Sequence, residues 1–104
     1  MANSKFNFPD YKKAKYLLRA LDNSHRFKIL HLIENSNAPK NVTEIYKALG
    51  WEQSVASQHL AILRKSRILY TERNGKEVYY HINFAQVDLA NKISKLIVDT
   101  LYKK

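Results

Sequence analysis

Apolar residues recur along this chain mostly at three- and four-residue steps, the signature of amphipathic helices. The first such run holds Tyr11, Ala14, Leu17, Leu18 and Leu21, with Lys12, Lys13, Lys15 and Arg19 between them. Phe6 and Phe8 lead into Pro9, whose fixed φ suits a first helical turn, and Asp10 is placed to meet the positive end of that helix. The pattern breaks at Asp22-Asn23-Ser24, and Ser24 is expected to cap a second helix from about His25 to Asn35. There Phe27, Leu30 and Ile33 share a face, with Ile29 and Leu32 beside them. Turn residues from Asn35 to Pro39 end it.

Val42 to Gly50 then reads as a two-turn helix capped by Thr43 and stopped by Gly50. Another helix, from about Gln53 to Ser66, follows after only Gly50-Trp51-Glu52, which is helix-turn-helix spacing. Ile68 to Arg73 and Glu77 to Ile82 are rich in aromatic and β-branched residues and flank Asn74-Gly75, a strong hairpin signal. A strict Asn74-Gly75 turn sets Glu72 against Glu77, a like-charge pair, so a turn one residue longer with a bulge stays open beside it. The last stretch, Phe84 to Tyr102, is helical again. Val87, Ala90, Ile97 and Leu101 form one stripe, and Leu89, Ile93 and Leu96 a second, wider than one contact requires. The predicted architecture is mainly α with a minor β part: about five helices, with a two-stranded hairpin wing before the last, in one domain over residues 1–104.

Charge sharpens this picture. Against 9 Asp and Glu stand 18 Lys and Arg, a net charge of +9, which favours polyanionic partners, nucleic acid first. No cysteine occurs, so disulfides, thiolate metal sites and thiol redox sensing are excluded. Two isolated glycines make no phosphate-cradling loop, and no nucleophile with a paired acid and base stands out, so an enzyme is not expected. The first residues lack the apolar core of a signal peptide and no run approaches the roughly 18 apolar residues of a membrane span, so a cytoplasmic protein with no membrane partner is expected.

At about 100° per residue from Gln53, the residues Ala56, Leu60 and Leu63 fall on one side of the helix, and Ser54, Ser57, Gln58, Ala61 and Lys65 on the other. Small hydroxyls, an amide and a cation without bulky apolar groups suit entry into a major groove, where Gln58 pairs an adenine edge. A plain solvated face has the same look on any single helix. His59, at the edge of the packed side, reads first as a partly buried structural histidine. Arg64 and Lys65 suit the helix's negative end whether or not they touch DNA. Arg73, Asn74 and Lys76 at the hairpin tip are in reach of a flanking phosphate or minor groove. With Thr43 and Gln53, these form the candidate DNA-binding set.

Val42-Thr43-Glu44-Ile45 with Leu49, then Gln53-Ser54-Val55-Ala56-Ser57-Gln58-His59-Leu60-Ala61-Ile62-Leu63, then Arg73-Asn74-Gly75-Lys76 and Tyr79-Tyr80, resemble the ArsR/SmtB family of bacterial repressors over almost the whole chain. The resemblance implies a winged helix-turn-helix homodimer that sets two reading helices about one DNA turn apart on a palindromic double-stranded operator. Its first and last helices, Phe8–Leu21 and Phe84–Tyr102, would form the interface through Tyr11, Leu17, Leu18, Ala90, Ile93, Ile97 and Leu101. Relatives that sense soft metals carry Cys-x-Cys where this chain reads Glu44-Ile45-Tyr46-Lys47-Ala48-Leu49. Those that sense zinc on the last helix use positions matched here by Phe84, Gln86, Ile97 and Thr100, which are not strong ligands. Nor do His25, His31, Glu34, His81, Asp88 and Asp99 show ligand spacing. No metal or cofactor is therefore expected, and a small-molecule effector is left unknown. Arg67 stands where many relatives have glycine, which leaves the end of the reading helix open. A winged helix serving only protein contact, or one binding structured RNA through exposed tyrosines, are the rival readings.

Overall fold

The computed structural model describes residues 8–102, with side chains over residues 12–100, so the parts expected of Pro9, Asp10, Tyr11 and Leu101 lie outside the described side chains. The elements are α1 (Phe8–Leu21), α2 (Ser24–Ser36), β1 (Lys40–Asn41), α3 (Val42–Leu49), α4 (Gln53–Lys65), β2 (Leu69–Asn74), β3 (Glu77–Ile82) and α5 (Phe84–Tyr102). This is a winged helix-turn-helix, as the patterning predicts, but the sheet has three strands in the order β1-β3-β2. The added strand is only Lys40 and Asn41, opposite Tyr80 and Tyr79.

Both expected helix caps move to an earlier asparagine. Asn23 Oδ1 accepts the N–H groups of His25 and Arg26 at 2.9 and 3.1 Å, so Ser24 is already inside α2. Asn41 Oδ1 accepts from Glu44 N at 2.8 Å, while Glu44 Oε1 accepts from Asn41 N at 2.9 Å. That reciprocal box satisfies two backbone groups at once, and Thr43 lies within the first turn. Each asparagine has the extended backbone that a cap requires, with φ of −162° and −85°.

Helix ends are left-handed. Gly50 has φ +70°, its N–H reaches Lys47 O, and Trp51 N–H reaches Tyr46 O at 2.9 Å, which seats Trp51 in the turn between α3 and α4. α4 ends at Lys65, one residue before the predicted end, and Arg67 occupies the left-handed position at φ +66°. That position explains the glycine expected there.

In the hairpin, Asn74 faces Glu77 and the two turn residues are Gly75 and Lys76. The turn is neither of the two expected ones. It keeps two residues but shifts by one, with Gly75 first at φ +67°, the site at which a type II′ turn requires glycine. Glu72 then meets Tyr79 across the strands instead of Glu77, and the like-charge pair is avoided without a bulge.

The core joins Leu17 and Ala20 of α1, Ile29 and Ile33 of α2, Ile45, Ala56, Leu60, Leu63, Ile68, Leu69 and Ala90. Phe27, expected on the packed face of α2, is 63% exposed, because that face centres on Ile29 and Ile33 and Phe27 points away from them.

Candidate nucleic-acid interface

α4 divides as its sequence predicts. Ala56, Leu60 and Leu63 are at most 1% exposed, while Ser54, Ser57, Gln58, Ala61 and Lys65 are all exposed, as are Gln53 and Arg64. Thr43 is exposed on α3, and Arg73, Asn74 and Lys76 are exposed at the wing tip. The packed side seats the helix; the polar side is left for a partner. None of its outward side chains is larger than an amide, arginine or lysine, so the helix axis can approach a groove floor closely.

His59 is half-buried and held by three neighbours. Its ring stacks on His25 with centroids 5.2 Å apart, and Trp51 lies 6.0 Å away, tilted. Arg26 Nη1 donates to His59 Nδ1 at 3.3 Å. A guanidinium has no acceptor, so this contact requires Nδ1 to be unprotonated and leaves the proton on Nε2. Burial, then the charge of Arg26, then His25, lower its pKa from the usual 6.5. Arg26 also donates through Nε to Ala20 O and through Nη2 to Arg19 O at 3.0 Å, a cation at the negative end of α1. One side chain thus braces α1, α2 and the reading helix. Sequence reasoning missed Arg26, His25 and Trp51, since their contacts with His59 join separate helices and leave no periodic trace.

The residues expected at a dimer interface separate into two groups. Leu17 and Ala90, at 4% and 1% exposed, are spent in the subunit's own core. Leu18 and Ile93 are half-buried and Ile97 is exposed. Leu89 and Leu96, on the second stripe of α5, are 46% and 66% exposed, and they are the larger uncovered surface. An apolar stripe of this kind on a charged protein marks a contact site.

The metal positions of similar proteins do not fit a metal here. Gln86 Nε2 donates to Ser66 O at 3.0 Å, Phe84 is exposed, and the described residues contain no cluster of three or more His, Cys, Asp or Glu able to hold an ion. No helix among the described residues is long and apolar enough to cross a membrane.

Comparison with known proteins agrees with this geometry. Residues 23–71 match the family described as bacterial regulatory protein, arsR family. The chain is 38% identical over 72 residues to the transcriptional repressor PagR of Bacillus anthracis, covering 69% of this chain and 71% of PagR. It is 33% identical over 75 residues to the transcriptional activator HlyU of Vibrio cholerae, covering 72% and 68%. Its fold matches the homodimeric winged helix-turn-helix DNA-binding domain of Mb0332 from Mycobacterium bovis with a TM-score of 0.74 at 22% identity, over 98% of this chain and 94% of that one.

Proposed function

Given that this chain belongs to the ArsR family of bacterial regulatory proteins, we propose that it is a homodimeric repressor that binds a palindromic duplex operator. The observation that carries this is the division of α4: a helix anchored by Ala56, Leu60 and Leu63 that presents Ser54, Ser57, Gln58 and Lys65 to solvent. Each subunit lays α4 in a major groove, where Gln58 reads an adenine edge and the serines take base or phosphate contacts. Arg73, Asn74 and Lys76 hold the flanking backbone, and Thr43, Gln53 and Arg64 fix the register. His59 supports the helix from behind and is braced by Arg26.

Two copies meet through α1 and α5, with Leu89, Ile93, Leu96 and Ile97 supplying the apolar surface. The homodimeric state of the Mycobacterium bovis domain supports that arrangement. The name of PagR supports repression, by occlusion of a promoter, while that of HlyU keeps activation as the other outcome. The site is the cytoplasm, where the duplex is.

Selection of bound duplexes from a random pool by the purified protein tests this. The expected product is a palindrome whose half-sites lie about one helical turn apart, and a promoter carrying it is transcribed less in vitro when the protein is added. A pool that stays random refutes the proposal, and a rise in transcription refutes repression.

A further inference from the structure

One feature of the charge distribution is untouched by the helix-turn-helix. On α1, Lys12, Lys15, Tyr16 and Arg19 fall at i, i+3, i+4 and i+7, which is one face of a helix. Like charges at these spacings destabilise a helix by a few tenths of a kcal/mol per pair. Nothing within the described residues relieves them: the side chains of Lys15 and Arg19 have no hydrogen bond or ion pair there. The stripe borders a hollow of about 570 Å³ whose other walls are Arg26 and Ile62, and no carboxylate lines it among the described residues.

Ile62 ties this hollow to the reading helix. It stands one turn after Gln58, on the flank of α4 that turns toward α1. A second hollow, of about 760 Å³, shares Lys12 and Tyr16 with the first and is lined by Lys65 and Arg67 at the end of α4. It too has no carboxylate among its described lining residues. Cationic surface therefore runs without interruption along the α1 flank of α4. Arg26 is engaged with Ala20 O, Arg19 O and His59, so it is the floor of the first hollow and leaves Lys15 and Arg19 as its outward cations.

We propose that this α1 stripe is a further duplex-binding surface, in which Lys15, Arg19 and the hydroxyl of Tyr16 hold the sugar-phosphate backbone running beside the reading helix. The inference rests on the proposed seating of α4 in the major groove. What it adds is a phosphate grip separate from the wing, on a helix otherwise assigned to packing. Phosphates neutralise the like-charge stripe, and release of the duplex's condensed counterions drives the contact. Such contacts fix position and carry no base preference.

The test compares wild-type protein with the double variant Lys15→Gln/Arg19→Gln on the selected consensus duplex and on a random duplex, over a series of salt concentrations. Two lost phosphate contacts reduce the slope of log K against log salt by about 1.8. Affinity should fall about tenfold or more near physiological salt on both duplexes, with the ratio between them kept. An unchanged slope overturns the proposal. Because the chain has no cysteine, Lys15→Cys in otherwise wild-type protein can carry a single iron-EDTA cleaving group. Strand scission beside each half-site is expected, and none from the same group at Lys95→Cys on α5. If the slope falls but Lys15→Cys yields no scission, the loss came through folding or assembly and the proposal is also overturned. Failure of the underlying reading has a different signature: wild-type protein then binds consensus and random duplexes equally, whatever α1 does.

Discussion

Ile68 donates its backbone N–H to the carbonyl of Leu63 at 3.0 Å, closing the end of α4 across Arg67, which is held at φ +66°. Arg67 N–H adds a bond to Arg64 O at 3.0 Å, so the exit of the reading helix is a complete Schellman motif with Ile68 and Leu63 both fully buried beneath it. The one flaw is the side chain at the left-handed position, where a β-carbon is unfavourable by about 1 kcal/mol. Arg67→Gly is therefore expected to raise stability by up to about 1 kcal/mol, or roughly 4 to 8 °C in a chain of this size. Thermal unfolding followed by circular dichroism checks it; a lower midpoint means that the Arg67 side chain contributes more than its backbone strain removes.

Asn41 serves three elements at once. It caps α3, pairs with Tyr79 in the sheet, and donates from Nδ2 to Glu77 Oε1 at 3.0 Å. Asn41→Ala should cost about 1 to 2 kcal/mol, from the lost cap. Asn41→Ser, which keeps an oxygen acceptor, should recover most of this in denaturant titrations. Equal losses in the two variants would place the effect outside the cap.

On the duplex, Gln58→Ala should cost about 1 to 3 kcal/mol on the preferred site and relax base choice. Lys76→Ala should weaken all sequences alike and reduce the salt slope by about 1. Anisotropy titrations on matched and random duplexes separate the two. Parallel losses in both variants would contradict the assignment of base reading to α4 and backbone gripping to the wing.

The uncovered stripe of α5 makes its own prediction. Leu96→Glu should turn a dimer into a monomer in sedimentation while leaving the unfolding midpoint within a few degrees, since Leu96 is 66% exposed and outside the core. If Leu96→Glu stays dimeric, α5 is not the contact.

His59 carries a pH dependence of definite sign. Its folded pKa lies below 6.5, so near and below that pH the unfolded chain binds the proton more readily than the folded one. Stability is complete above pH 6.5 and is lost as pH falls from there toward the folded value. His59→Phe, which keeps a ring against His25 and Trp51 but cannot titrate, should lose less stability between pH 7.5 and 5 than the wild type. Identical pH profiles would falsify the assignment.

Much of this was legible because it is written in local periodicity. The bounds of α1 and α5, and the two sides of α4, follow from the spacing of Leu17, Leu60, Leu63 and their neighbours. The glycine slot at Arg67 was visible only through family resemblance. What stayed hidden depends on pairing across the chain. Two residues, Lys40 and Asn41, carry no strand signal by themselves, and only β3 makes them one. The Asn74-Gly75 signal located the hairpin but not its register, which a steric need for Gly75 first and repulsion between Glu72 and Glu77 decide together. Phe27 was misplaced because α2 is apolar on more than one side, and Ile29 and Ile33 won the core.

That two-residue strand has a mechanical consequence. Asn41 is both the last residue of β1 and the start of α3, so the hairpin is welded to the helix-turn-helix at its root. Hairpin tip and groove-entering helix therefore move as a single stiff bracket, with a fixed span between their two footholds. Any adjustment to operators of unequal spacing has to be absorbed where one copy of the chain leans on the other.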